Sequence, residues 1–498
     1  MRVLSLCLVF ALGCSSEAAK PPLPDHLPFE INRSDPDPPP DPALTQALTQ
    51  KLTGFWRRHD YFNWVLRVTH GVDVGTGKPE FRVWWQDVDA IKAGGKVTFK
   101  HSTSGGAHNI YIPTGQLLAE SAAAYLLTGD AAAGEVARSL SLGLSAACRG
   151  FVHDAADPNL HLMARNVAAF DHDYLLPGDR PARVEYSPWF SSYEAWNAQR
   201  FEYPANPSWG DVWVTNMRSK DDVPHIYLAA AMVRALRAYA KDPQILEAAQ
   251  LADDCSTGFA KDIVDNGYQI RTKDKDGAPY IPTQDLASFV QYDSIVPNGE
   301  CAAKLSSALL GTGQPGANVC GFNAVTDYES FAVGAHYYNY EIVHGFHVSA
   351  LFFALLTEQN ESAKALLTGM ASRVDRYLDP SGSEAGRTSS AWDRDVAVLL
   401  LKGAALGLPL KAKEAELIRA QLGAAIDTYD AWNRWDLWSP ALPDDTYVPN
   451  DGYLPSDLGH LIEIERMAMA LFYCWSPFKS AGGVVPVDCA IVKDPSRW

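Results

Sequence analysis

Several signatures are missing from this 498-residue chain. It has no CxxC, no CxxCH and no HExxH, which removes thiolate zinc, c-type haem and the commonest zinc-protease arrangement. It also has no GxSxG, no P-loop and no GxGxxG set in a βαβ pattern. Acyl transfer by that route, nucleotide binding and NAD chemistry therefore find no support. Positive charge is scarce too: 42 Lys and Arg stand against 59 Asp and Glu, a formal net charge of −17 at pH 7. Nucleic acid is excluded as a partner, because phosphate binding needs a basic footprint. A polyanionic ligand would require a locally basic site. Beyond the N-terminus no apolar run is long enough to span a bilayer.

The first 14 residues have the form of a signal peptide. Arg2 is followed by an apolar run to Leu12, and ALGC before Ser15 and Ser16 resembles a bacterial lipobox with Cys14 as the lipidated residue. Ala11 stands where leucine is more usual, so ordinary secretion is the competing expectation. Export to the cell envelope is expected either way, with the membrane reached through a lipid anchor only. Six further cysteines fit an oxidising compartment. Their spacing favours Cys301–Cys320 and Cys474–Cys489 as local clips and leaves Cys148–Cys255 as a long link. Residues 15–43, with PDPPPDP at 36–42, read as an extended tether.

The remainder is 47% apolar and 20% charged, normal for a globular protein with a large core. A helical pattern over Ala43–Arg58 leads into a stretch at 63–112 whose alternating FRVWW and KVTFKH fit a hairpin or irregular packing. From Pro113 onward helical patterns come in pairs. Pro113–Thr128 and Ala131–Ala147 join at Gly129-Asp130, and Pro224–Lys241 and Ile245–Val264 break at Asp242-Pro243. A shorter helix is expected over Gly299–Leu310. Tyr337–Leu355 pairs with Ser362–Leu378, Thr388–Leu406 pairs with Ala412–Asp430, and Asp457–Trp475 closes the series. Residues 148–220 form a long insertion rich in His, Asp, Trp and Tyr, and residues 476–498 form a tail. No fixed period of TPR type is present. DKDG at 274–277 lacks the downstream Glu of a calcium loop and reads as a solvated turn.

Tyr337–Leu355, YYNYEIVHGFHVSALFFAL, is the most informative stretch. Steps of three and four place Tyr337, Glu341, His344, Val348, Leu351 and Leu355 on one stripe, polar at its start and aliphatic at its end. Phe346, Ala350, Phe352 and Phe353 lie off that stripe and are also apolar, so the second half is expected to be buried on all sides. Three other segments share its layout: HNIYIPTGQLLAESAAAYLL at 108, HIYLAAAMVRALRAYA at 225 and HLIEIERMAMALFY at 460. Each has a histidine at or just before an apolar helix.

In its helix pairing, exported context, aromatic richness and histidine-tipped helices, the chain resembles, over about residues 110–475, the (α/α) toroid of polysaccharide lyases, glycoside hydrolases and uronyl epimerases. The resemblance implies an all-α fold, an (α/α) toroid of consecutive helical hairpins over 44–475 with a small irregular or β portion at its N-terminal end. It also implies that the helices offer their N-terminal ends, each with a histidine, to a common face.

Four clusters carry candidate chemistry. Tyr338, Asn339, Glu341, His344 and His347 combine acid–base groups with a hydrogen-bond donor, and in the toroidal lyases Asn or Arg neutralises a substrate carboxylate while Tyr or His removes the neighbouring proton. NMRSKDDVPHIY, 216–227, offers Arg218 as local positive charge, Asp222 as helix cap or acid, and His225 in a first turn. GGAHNIY, 105–111, places His108 and Asn109 after two glycines that permit close approach of backbone to a ligand. In DGYLPSDLGHLIEIE, 451–465, Asp457 and His460 share a face, and Trp435 in the preceding WNRWDLW is suited to stacking on sugar. The insertion contributes Arg165, Asn166, His172, Tyr193, Glu194 and Trp196 as a possible lid. His344 and His347 with Asp222 or His225 would be the arrangement to test for zinc, but no motif calls for a metal or other cofactor.

These features lead to an exported enzyme acting on a polysaccharide or oligosaccharide. β-Elimination of a uronate-containing glycan would use His344 or Tyr338 as base with Arg218 and Asn339 on the carboxylate. Hydrolysis would need two carboxylates across the site, for example Asp222 and Glu341. The competing expectation is a non-catalytic glycan-binding or structural lipoprotein.

Overall fold

The computed structural model describes residues 27–68, 70–72, 81–83, 88–93, 96–101, 111–152, 156–162, 164, 166–169, 200–206, 210–215, 222–266, 271–273, 278–280, 318–319, 322–323, 348–378, 390–431, 447–448 and 462–498. These are mostly helical. In chain order they form α1 (Pro42–His59), α2 (Tyr61–Val68), β1 (His70–Val72), β2 (Phe81–Val83), β3 (Val88–Ala93), β4 (Lys96–His101), α3 (Tyr111–Thr128), α4 (Ala131–Ala147), β5 (Asn166–Ala169), β6 (Arg200–Asn206), β7 (Gly210–Thr215), α5 (Asp222–Tyr239) and α6 (Pro243–Asp265). Then follow β8 (Thr272–Lys273), β9 (Pro279–Tyr280), β10 (Asn318–Val319), β11 (Phe322–Asn323), α7 (348–356), α8 (Asn360–Leu378), α9 (Ser390–Ala405), α10 (Ala412–Asp430), β12 (Tyr447–Val448), α11 (Ile462–Trp475) and α12 (Cys489–Val492). Among the described residues no helix is long and apolar enough to cross a membrane.

Local chemistry sets the helix ends. The Asp41 side chain accepts from the Ala43 amide with Pro42 opening α1, and Asp130 accepts from the Ala133 amide to start α4. Gly129, at φ +75, takes the left-handed turn that ends α3. Asp242 caps α6 through the Gln244 amide. The predicted joints at Gly129-Asp130 and Asp242-Pro243 therefore stand where the sequence placed them. The apolar half of the Tyr337–Leu355 stretch is α7, with Val348, Ala350, Leu351, Phe352, Phe353 and Leu355 all buried. Its polar half, like the expected helix at 299–310, lies outside the described residues.

The helices pack in a repeating way. Each of α3/α4 and α5/α6 is an antiparallel hairpin, α3 lies against α5, and α4 lies against α6. Later in the chain α9 contacts α8, α10 and α11, while α11 packs back on α3. On the outside α1 touches α10 and α2, and α2 touches α4. The core between them is rich in alanine, including Ala122–Ala124 and Ala229–Ala231. Small side chains let helix axes approach closely.

The strands are short and antiparallel. β3 pairs with β4 and also with β12 from far along the chain, so the small β portion expected near the N-terminus is joined by a C-terminal strand. A second sheet, in the order β5-β7-β6, lies within the 148–220 insertion, which the helical periodicity did not reveal. Its alternating runs, RFEYPAN and GDVWVT, follow the period of a strand.

Both ends of the described chain are stitched into the fold. The segment 27–41 has no regular structure, but Leu27, Phe29 and Ile31 pack on the core. Arg33 makes a two-pronged ion pair with fully buried Glu414, at 2.8 and 2.6 Å, and also reaches Asp375 and the Pro409 carbonyl. The Asp35 carboxylate accepts from the Ala412 amide and so caps α10. A tether running to residue 43 is thus shortened, since from Leu27 the chain is a strap over α8 and α10. At the other end, Cys474–Cys489 and Cys148–Cys255 are bonded as the spacing predicted, with Cα separations of 5.2 and 5.8 Å. Cys301 and Cys320 lie outside the described residues. Past α11 the tail docks through buried Phe478, Val487 and Val492, and the Trp498 ring meets Trp56 at 5.5 Å and Phe62 at 5.7 Å.

Two predictions follow from these ends. Arg33→Ala leaves Glu414 as a buried carboxylate without its cation and is expected to destabilise the domain by about 3 kcal/mol, read as a lower urea midpoint. In the tail, Lys479 is half-buried with Nζ donating to the Cys474 carbonyl at 2.7 Å. Burial, then the charge of Lys493, lower its pKa to about 8. Below that pH the folded state bears the cost of holding a cation. Between pH 8 and the ordinary lysine value of 10.5 the unfolded chain binds more protons, so this cost fades as pH rises. Lys479→Met should melt above wild type at pH 7, with the gap closing towards pH 10.5.

Candidate functional site

The placement of α3, α5, α7 and α11 rests on particular contacts. Gly115, one turn into α3, has the backbone and Cβ of His225, one turn into α5, within van der Waals reach of where its own Cβ would stand. The N-terminal ends of α3 and α5 are therefore side by side, and the two helices run the same way. At their other ends, the Arg234 guanidinium of α5 lies 5.4 Å above the Phe353 ring of α7, and Phe352 meets Phe472 of α11 at 5.6 Å. Each of these residues stands in the C-terminal half of its helix. α3 and α5 therefore share one direction, and α7 and α11 are brought against α5 and against each other while α11 also packs on α3.

His225 is the sequence-predicted site residue that the described structure places most fully. It is 4% exposed, on the first turn of α5 as expected, and wedged against α3. Asp222 is the first helical residue of α5 rather than the cap before a helix starting at Pro224. His344, Tyr338, Asn339, Glu341, Arg218, His108, Asn109, His347, His460, Trp435 and Cys14 lie outside the described residues. In the sequence, however, His108 leads into α3, Arg218 into α5, His344 into α7 and His460 into α11.

The rim of the end where α3 and α5 begin is built by the segment 148–164, which follows α4. The Tyr111 hydroxyl, at the first residue of α3, donates to the Ala164 carbonyl. The Asn206 side chain, at the end of β6, donates to the Arg149 and Gly150 carbonyls at 2.6 and 3.0 Å. Lys273 of β8 is buried and donates to the Phe151 carbonyl and to Asp157. Burial opposes ionisation of Asp157, but hydrogen bonds from Lys273 and the Asn159 amide outweigh it and hold the carboxyl below its usual range. His161 packs over Gly258 of α6, and burial followed by the Arg149 charge holds its pKa below the ordinary value. With Cys148–Cys255 underneath, this segment is pinned from four sides.

One polar cluster was not singled out by motif. Glu120 is the only charged residue in α3 and is 2% exposed. The Tyr61 phenol of α2 feels its charge, and buried Tyr429 of α10 stands nearby. Burial first, and then the Glu120 charge, push the Tyr61 phenol well above its ordinary pKa, so it stays protonated. A lone acid in an apolar helix is the signal that locates it. Its neighbours stand on α2 and α10, so it ties α3 to helices distant in sequence. Among the described residues no group of three or more His, Cys, Asp or Glu is placed to hold a metal ion.

Compared with known proteins, the chain matches no family model, no curated protein and no solved structure.

Because Gly115 lies in contact with the His225 backbone, Gly115→Ala should force α3 and α5 apart. We expect a loss of about 2–3 kcal/mol in stability, in the range of overpacking a well-filled core, whereas Gly134→Ala at the outer hairpin disturbs only side chains and should cost less. Chemical denaturation of both variants measures the difference.

Proposed function

We propose that the chain is an exported glycan-degrading enzyme whose helical hairpins close into an (α/α) toroid, and that it cleaves a uronate-containing polysaccharide by β-elimination in preference to hydrolysis. The observation that carries this reading is the side-by-side packing of α3 and α5 in one direction, with buried His225 on the first turn of α5 and α11 packed against α3. The packing of α11 on α3, of α4 on α6 and of α1 on both α10 and α2 supports closure of an inner and an outer ring. Aligned helix N-termini carry partial positive charge, which suits a carboxylate ligand in a protein of net charge −17.

In this scheme Arg218 and Asn339 neutralise the uronate, and His344 or Tyr338 removes the proton beside it. His225 and Glu341 set the protonation of the base, and His108, Asn109, His347, His460 and Trp435 hold the chain of sugars. Hydrolysis would instead assign Asp222 and Glu341 as acid and base across the site. Cys14 anchors the enzyme to the cell envelope through lipid.

Purified protein incubated with a polysaccharide panel, read separately for unsaturated uronate absorbance and for reducing ends, tests the reading. Both signals together are expected from a uronate-containing polymer. Reducing ends without the unsaturated chromophore would shift the reaction to hydrolysis, and no product from any polymer would leave a binding protein. His344→Ala is expected to abolish turnover, by at least about 1,000-fold for loss of an acid–base group, with unchanged helix content by circular dichroism.

A further inference from the structure

The strap begins on a surface that the candidate site does not use. Leu27 packs on Gly407, which at φ +111 has no room for a side chain beneath the leucine. Gly407 belongs to the loop between α9 and α10, LGLPL at 406–410, which is buried throughout. The tail covers the same loop. Gly483, at φ +90, stands against the backbone of Pro409 and Leu410, and the Val484 amide donates to the Leu410 carbonyl at 2.9 Å. Arg33 closes the seam by donating to the Pro409 carbonyl at 2.8 Å. The start of the strap, the 406–410 loop and the tail loop at 480–487 therefore form one surface.

That surface is short of free charge. Residues 406–410 and 480–487, the latter SAGGVVPV, contain no ionisable side chain. Ala481, Gly482, Gly483 and Val485 are exposed, Val485 at 54%. Among the charged neighbours, Arg33 and Lys411 pair with Glu414 and Asp375, and Lys413 pairs with Asp37 at 3.6 Å. Lys479, just before the tail loop, turns its Nζ back to the Cys474 carbonyl, and Glu30 is exposed on the strap. The whole chain carries −17, and such a protein is repelled by an anionic lipid surface. An uncharged loop with an exposed valine is where that repulsion is weakest and apolar contact is available.

The length of chain ahead of Leu27 decides what lies against this surface. With Cys14 as the lipid anchor, residues 15–26 join the membrane to Leu27. From position 14 to position 27 the chain spans at most about 45 Å, even fully extended. A compact unit the size of residues 27–498 has a radius of gyration of about 23 Å and is about 60 Å across. The tether is shorter than the domain is wide, so Leu27 cannot stand on the side remote from the membrane. We propose that the surface formed by Leu27 and the 406–410 and 480–487 loops faces the lipid bilayer, with the 480–487 loop resting on the headgroups and Val485 as its apolar contact. This inference rests on the lipid-anchor reading above and adds to it the orientation in which the domain is held.

Two lysines of matched exposure give the test. Lys413 and Lys261 are 71% and 65% exposed, and each stands beside one carboxylate. Lys413 adjoins the proposed contact, whereas Lys261 is on α6, which packs on α4 and α5. Full-length protein bearing its lipid is reconstituted on vesicles of phosphatidylethanolamine and phosphatidylglycerol, and acetylation of each amine is followed by peptide mass spectrometry. Lys413 is expected to react several-fold more slowly than Lys261. Val485→Asp, at an exposed position and checked for folding by circular dichroism, is expected to bring the two rates together. Equal rates in the wild-type protein, or slow reaction of Lys413 that survives Val485→Asp, overturn the orientation and leave the anchor intact. The mass of the N-terminal peptide reports the anchor separately, and a Cys14 without lipid overturns both.

Discussion

The near-contact of Gly115 with the His225 backbone sets the arrangement of everything around it. Two helices can touch at their first turns in this way only if one of them has no side chain at that point. Once α3 and α5 lie side by side in the same direction, α4 and α6 must return on the outside and the connecting segments must gather at a common end. The alanine-rich interior continues the same constraint along both helices. Bulkier residues would widen the spacing and spread the ends apart. The pinned segment 148–164 then has a fixed floor, and the β5-β7-β6 sheet is seated on it by Asn206 rather than hinged over it.

That seating changes how the insertion works. A lid needs few contacts with what it covers, so that opening costs little. The segment 148–164 instead has a disulfide at its start and buried polar bonds from Lys273 and, out of the sheet, Asn206. The described part of the insertion is thus held at several points against α3, α4 and α6.

Much of the helical layer could be read from the sequence because helices announce themselves locally. Asp130, Asp242 and Gly129 are short-range signals, and they fall where the chain turns. Cysteine spacing likewise anticipated both described disulfides. The β5-β7-β6 sheet was hidden because Pro204 interrupts β6 and the bulge before Asn206 breaks the alternation. The strap was hidden by composition: its prolines and acids look solvated, while Leu27, Phe29 and Ile31 repeat at the two-residue period of an extended chain against a surface. Of the site, His225 is the candidate histidine that lies among the described residues, and it stands on the first turn of α5 as read from the sequence. Glu120 was legible only as an anomaly, one charge in an otherwise uncharged helix, since its partners come from helices distant in sequence.

The strap also bears on the order in which the protein can be completed. Arg33 finds Glu414 across 381 residues, and the Asp488 amide finds Thr49 of α1 across 439. Helix hairpins such as α3/α4 can form as soon as they are available, but the strap and α1 must wait until nearly all of the chain is present. The strap is thus a late latch: it joins a framework of helices that has already formed, and its ion pair with Glu414 closes over that framework instead of nucleating it.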